Sequence, residues 1–161
     1  MPKHEMDYYF RTFRRDIAVF KSLQDGYTQN EIGKYLYIST QSVADIVSVY
    51  KQKVKLFNKL RDKGVFWSYD RKIQYYNMND AVFIEYILKY GDFADLKSSM
   101  ELFGRSKIKK IWEDRLKSDR QFIKTNLMIA RVFFDMDIES DYFKDIKNAR
   151  FEKLKLLASQ N

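Results

Sequence analysis

Large apolar side chains recur every three or four positions from the start of the chain, at Phe10, Phe13, Ile17, Phe20 and Leu23. At 3.6 residues per turn such positions share one face, so the spacing predicts an amphipathic helix over 8–24. Gly26 ends it, because glycine accepts the left-handed conformation of a helix stop. Thr28 caps a second helix, and Glu31 three residues later completes a capping box. That helix runs to about Tyr37. Ser39 or Thr40 caps a third. Its apolar positions Val43, Ile46, Val47, Tyr50, Val54, Phe57 and Leu60 carry it on to "DKG" at 62–64.

The pattern then loosens. "VFWSYDRKIQYYNM" reads as an extended arm anchored by Phe66 and Trp67, with a short strand as the alternative. Helical spacing resumes after Asn79 or Asp80, either of which caps a helix through Tyr90 that Gly91 closes. Asp92 caps the next, which runs to about Phe103 and stops at Gly104. Ser106 opens "KIKKIWEDRLK". "DRQFIKTNLMIARVFFDM" predicts a largely buried helix, and Ser140 or Asp141 caps a final one, "YFKDIKNARFEKLKLL".

Composition sharpens this reading. The chain has 161 residues, so one domain or two small ones are expected. Its 13 Phe, 12 Tyr and 2 Trp supply core volume, whereas 5 Gly and 1 Pro are too few turn formers for a sandwich or barrel. The absence of Cys excludes disulfides and thiolate metal sites. No stretch of about 18 apolar residues occurs, and "MPKHEMDYYFRTFRRD" lacks the apolar segment of a signal peptide. A soluble, cytoplasmic protein with no membrane partner is expected.

The formal charge is +8, which favours polyanionic partners. Its placement matters more. Residues 1–64 hold 12 Lys/Arg against 7 Asp/Glu, a net +5, and the remaining 97 hold 18 against 15, a net +3. The excess gathers around "TQNEIGKYLYISTQSVADIV", where two short amphipathic helices meet at a polar break.

In a helix-turn-helix the first helix crosses the DNA backbone and the second enters the major groove, its N-terminal face toward the bases. The arrangement needs apolar anchors, a small residue at the close approach and a tight turn. Ile32, Leu36, Ile38, Val43 and Ile46 are the anchors here, and Gly33 is the small residue. Tyr37 stands where glycine is common, so it must accept a positive φ or the turn must differ. With Val43, Ile46 and Val47 inward, Thr40, Gln41, Ser42, Ala44, Asp45 and Ser48 face outward as candidate base contacts. Gln pairs with adenine, Ser and Thr are adaptable, Ala meets a thymine methyl and Asp accepts from cytosine. Arg14, Arg15, Thr28, Gln29, Ser39, Lys51 and Lys53 are candidate phosphate contacts.

"DGYTQNEIGKYLYISTQSVADIV" resembles the helix-turn-helix of bacterial regulators and small transposase-type proteins, over about 25 residues. Further on, "VFWSYD", "FIEYILKYGDFADLKSSMELFGRSKIKKIWEDR" and "NLMIARVFF" resemble a helical domain of bacterial proteins encoded beside nucleotidyltransferase toxins and taken to be antitoxins. That second resemblance implies partner binding and transfers no catalytic residue. The expected fold is therefore all-α: a helix-turn-helix domain over 1–64 and a second helical domain over 65–161, the latter for oligomerisation or partner binding.

Other chemistry finds little support. His4 is the only histidine, and an N-terminus that frays is a poor metal or acid–base site. Asp135, Asp137 and Glu139 have a spacing that can hold a divalent ion, yet nothing else in the chain completes such a site. No phosphate loop or nucleophile elbow is present. A tyrosine nucleophile would need metal-holding histidines. Trp67 and Trp112 read as packing anchors, and whichever is exposed becomes a partner-binding candidate. The expectation is a non-enzymatic, cofactor-free, sequence-specific binder of double-stranded DNA that regulates transcription as a homo-oligomer. An antitoxin that binds a toxin and autoregulates, or an accessory factor of a mobile element, is the alternative.

Overall fold

A computed structural model describes residues 3–144 and 156–160. All regular structure in these residues is helical. The chain divides into two compact units, one of Met1–Asp62 with Lys72–Asn77 and one of Lys63–Arg71 with Met78–Asn161. The boundary is thus not a single point near Gly64: six residues leave the second unit and return to the first.

The first unit is built from α1 (Lys3–Thr12), α2 (Arg15–Gln24), α3 (Gln29–Leu36) and α4 (Thr40–Asp62). The single helix expected over 8–24 is two. Arg14 breaks it with an extended backbone, φ −56° and ψ 153°, and offers no side-chain cap. The break lets α1 fold back on α2, so that Met6 and Phe10 of one and Val19 and Leu23 of the other join one core with Tyr27, Ile32 and Val43. Apolar spacing runs unchanged through the break, which is why periodicity alone misses it. α1 also extends back to Lys3, through the segment expected to fray.

Local signals set the other ends. Gly26 has φ 97° just beyond α2. The Thr28 hydroxyl accepts from the Glu31 N–H at 3.1 Å, and the Glu31 carboxylate accepts from the Thr28 N–H at 3.2 Å. Ser39 caps α4, its Oγ accepting from the Ser42 N–H at 3.0 Å. α4 then runs 23 residues, about 34 Å at 1.5 Å per residue. From its middle onward it buries Tyr50, Leu56, Phe57 and Leu60. Residues 72–77 pack there: Tyr75 lies edge-on to Tyr50 and Phe57, with ring centres 5.7 and 6.1 Å away, and Arg61 donates to the Ile73 carbonyl at 3.1 Å.

The expected arm over 65–78 is neither extended nor a strand. It is a run of turns ending in a 3-10 turn at Tyr75–Asn77. Of its two expected anchors, Phe66 is buried against Phe83 and Tyr86, whereas Trp67 is 79 % exposed.

The second unit contains α5 (Asp80–Tyr90), α6 (Phe93–Phe103), α7 (Arg105–Ile111) and α8 (Ile123–Phe133). Asn79 caps α5, accepting from the Val82 N–H at 2.8 Å, and Asp92 with Asp95 forms a capping box on α6. α7 starts at Arg105 rather than at Ser106, directly after Gly104. It widens into a π turn over Trp112–Leu116, where the Lys117 N–H reaches back to the Trp112 carbonyl at 2.8 Å. The wide turn swings Trp112 fully into the core beside Phe134. Asn126 of α8 completes the arrangement. Its Oδ1 accepts from the Trp112 indole N–H at 3.0 Å, and its Nδ2 donates to the Leu116 carbonyl at 3.0 Å. A buried amide is stable only when so satisfied.

α8 is preceded by one 3-10 turn that Asp119 caps, and it is amphipathic rather than largely buried: Lys124, Arg131 and Val132 are exposed. Ser140–Phe143 forms a 3-10 turn, and most of the final helix expected after it lies outside the described residues. No helix among the described residues is long and apolar enough to cross a membrane.

Candidate nucleic-acid interface

The junction between α3 and α4 is made by the backbone. The Ile38 N–H donates to the Gly33 carbonyl at 2.9 Å and the Tyr37 N–H to the Lys34 carbonyl at 3.4 Å. This double bond pattern is a Schellman ending, which places its penultimate residue in the left-handed region. That residue is Tyr37, at φ 58° and ψ 42°. Gly33 permits the approach, since a Cβ there would lie 2.8 Å from the Ile38 carbonyl oxygen. Ile32 and Val43 are buried beneath the junction, with Leu36, Ile38, Ile46 and Val47 packed around them.

The opposite side of α4 is polar. Thr40, Gln41, Asp45 and Ser48 are exposed; Ser42 and Ala44 are half-buried. The Gln41 Nε2 donates to Asp45 at 2.9 Å, which orients the exposed amide. Gln52 donates likewise to the Ser48 hydroxyl at 3.3 Å. Asp45 therefore positions Gln41. Ser39 and Ser42 share a hydrogen bond of 2.8 Å between their hydroxyls.

The candidate phosphate contacts divide. Arg15, Gln29 and Lys51 are exposed, and Lys53 is half-buried. Thr28 is exposed, but the capping box engages its N–H and sets the Glu31 carboxylate at the start of α3, which disfavours an anion there. Arg14 departs most from expectation. Its guanidinium carbon lies 4.6 Å from the Tyr75 ring centre and its Nε 3.9 Å from Asp16, so the side chain serves packing within the first unit. The candidate phosphate contacts do not include Lys55 and Lys59. Both are exposed at four-residue steps from Lys51, a signal present in the spacing, and together they extend the polar face of α4 into a lysine ridge.

The unit carrying this face is braced by tyrosines. The Tyr9 hydroxyl donates to Asp25, and that of Tyr35 to Asp7. The Asp25 hydrogen bond, with burial, pushes the Tyr9 phenol up to about 12. The bond to Asp7 and burial raise that of Tyr35, and burial raises those of Tyr27 and Tyr50. Phenols shifted this way stay protonated, the reverse of what an activated nucleophile requires.

The acidic stretch near the end of α8 does not converge. Asp135, Asp137 and Glu139 are exposed; Asp135 pairs with Arg105 at 3.3 Å and Glu139 with Arg131 at 2.9 Å. Among the described residues no group of three or more potential ligands could hold a metal ion. Comparison of the chain with protein-family models, with curated proteins and with solved structures returns no match.

Proposed function

We propose that α3 and α4 act as a helix-turn-helix, and that the protein is a non-enzymatic, sequence-specific binder of double-stranded DNA regulating transcription as a homo-oligomer. The observation that carries this reading is the N-terminal face of α4. Polar side chains suited to base edges stand exposed there, with Gln41 held by Asp45, while the other side of the same helix is buried. The lysine ridge farther along α4 supports it, since Lys51, Lys55 and Lys59 would neutralise backbone phosphate. One such helix reads only a few base pairs. Two copies on half-sites about 34 Å apart supply the rest.

Selection of bound sequences from a random DNA pool tests the proposal. A palindromic consensus is expected. Gln41→Ala and Ser42→Ala should each relax discrimination by about 1–3 kcal/mol per lost base contact. Unchanged preference in both variants would mean that another surface does the reading. Binding that is strongly salt-dependent yet indifferent to sequence would instead favour an accessory factor without a specific site.

A second reading, an antitoxin whose main partner is a protein, is favoured by one observation. Trp67 is exposed in the second unit, together with Tyr69, Tyr90 and Phe93. Large exposed aromatics are characteristic of binding hot spots. A well-behaved dimer of the chain expressed alone favours the first reading. Aggregation relieved by co-expression of a neighbouring gene product favours the second.

A further inference from the structure

Tyr37 is 95 % exposed and occupies the left-handed position of the α3 ending. Each fact alone is ordinary; the combination is not. In that region every L-residue except glycine carries a steric penalty, with Asn and Asp the least affected. A bulky residue normally offsets such a penalty by packing, and a ring this exposed returns nothing by burial. The fold would be served as well by glycine. Retained strain at an exposed side chain points to a task outside the fold.

Its location defines that task. Tyr37 lies two residues before Ser39, the cap of α4, and so stands at the end of the helix from which Thr40 and Gln41 project. We propose that the Tyr37 hydroxyl donates to a phosphate oxygen on the DNA strand bordering the groove that α4 enters. Tyrosine hydroxyls are among the common donors to nucleic-acid phosphates, and such contacts set register rather than sequence. The inference rests on the helix-turn-helix reading above and adds to it a clamp at the leading edge of α4. The left-handed backbone holds the ring clear of the protein, so the hydroxyl arrives at the strand without first breaking an internal contact.

The test uses the full chain, a duplex carrying the selected consensus and a random duplex of equal length. Tyr37→Gly and Tyr37→Asn relieve the backbone, and Tyr37→Phe keeps the ring without the hydroxyl. The Gly and Asn variants are expected to melt at or above the temperature of the unmodified chain. All three should bind both duplexes about tenfold more weakly, as loss of a hydrogen bond to a charged acceptor implies. Equal loss on the two duplexes is the signature of a phosphate contact. A Phe variant that binds as well as the unmodified chain overturns the hydroxyl contact, and loss confined to the consensus duplex overturns phosphate in favour of a base. Lower melting of both the Gly and Asn variants overturns the strain argument. If the unmodified chain binds duplex and every variant binds within twofold of it, the Tyr37 proposal alone fails. If the unmodified chain binds no duplex, the reading beneath it fails as well.

Discussion

The two units solve the same packing problem by different means. Where α3 meets α4, close approach depends on what is missing: Gly33 has no Cβ, and main-chain groups make the hydrogen bonds of the turn. Where the π turn after α7 faces α8, contact depends on what is added: the turn seats Trp112, and the buried Asn126 amide binds both its indole and the Leu116 carbonyl. The surfaces differ as well. Both units expose large aromatics, Tyr8, Tyr37 and Tyr76 in the first and Trp67, Tyr69, Tyr90 and Phe93 in the second, and the first adds the polar side chains and lysines along α4. A junction made by the backbone leaves nearby side chains free to face a ligand. A junction made by large side chains commits them to the core.

The comparison is most directly broken at Trp112. Trp112→Ala should destabilise the second unit by about 4 kcal/mol, because it opens a large cavity and leaves the Asn126 amide half-satisfied in the interior. Urea unfolding followed by circular dichroism measures this, and a loss below about 1 kcal/mol would deny the network its role. Gly33→Ala comes next. Its Cβ would press on the Ile38 carbonyl, and overpacking of this kind costs about 2 kcal/mol. The effect should appear in the first unit, read by hydrogen exchange of the α3 amides; protection equal to that of the unmodified chain would show that the junction yields freely.

Alkali sharpens the contrast further. Tyr9 has a folded-state pKa of about 12 against an ordinary value of 10.0, so its contribution is full below pH 10 and is lost as the pH rises toward 12. The raised phenols of Tyr27, Tyr35 and Tyr50 act in the same direction. Unfolding midpoints measured between pH 9 and 12 should fall, and Tyr9→Phe should flatten the fall. The smallest effect is expected at Trp67. Trp67→Ala should change stability by less than about 0.5 kcal/mol, as an exposed side chain away from the core does. A larger loss would mean that this ring is part of the folding core and not a free surface.

Helix ends were written locally and could be read locally. Thr28 with Glu31, Ser39, Asn79 and Asp92 each cap the helix that follows, because a side-chain oxygen three residues from an orphan N–H needs no distant partner. The need for a small residue at Gly33 and the outward polar face of α4 were legible for the same reason: a helix carries its periodicity in the order of its residues. Gly26 and Gly104 marked stops because only their own φ was at issue.

The remainder was decided by contacts between residues far apart in the chain. The break at Arg14 exists because α1 must fold back for Met6 and Val19 to share one core, and no local signal marks it. Residues 72–77 return to the first unit because Tyr75 finds Tyr50 and Phe57 there. Asn126 gains its purpose only from the π turn that brings Trp112 and Leu116 within reach. The two tryptophans thus end apart, one sealed and one bare. Burial is a property of what the rest of the chain can bring to a side chain, and the identity of the side chain alone does not settle it.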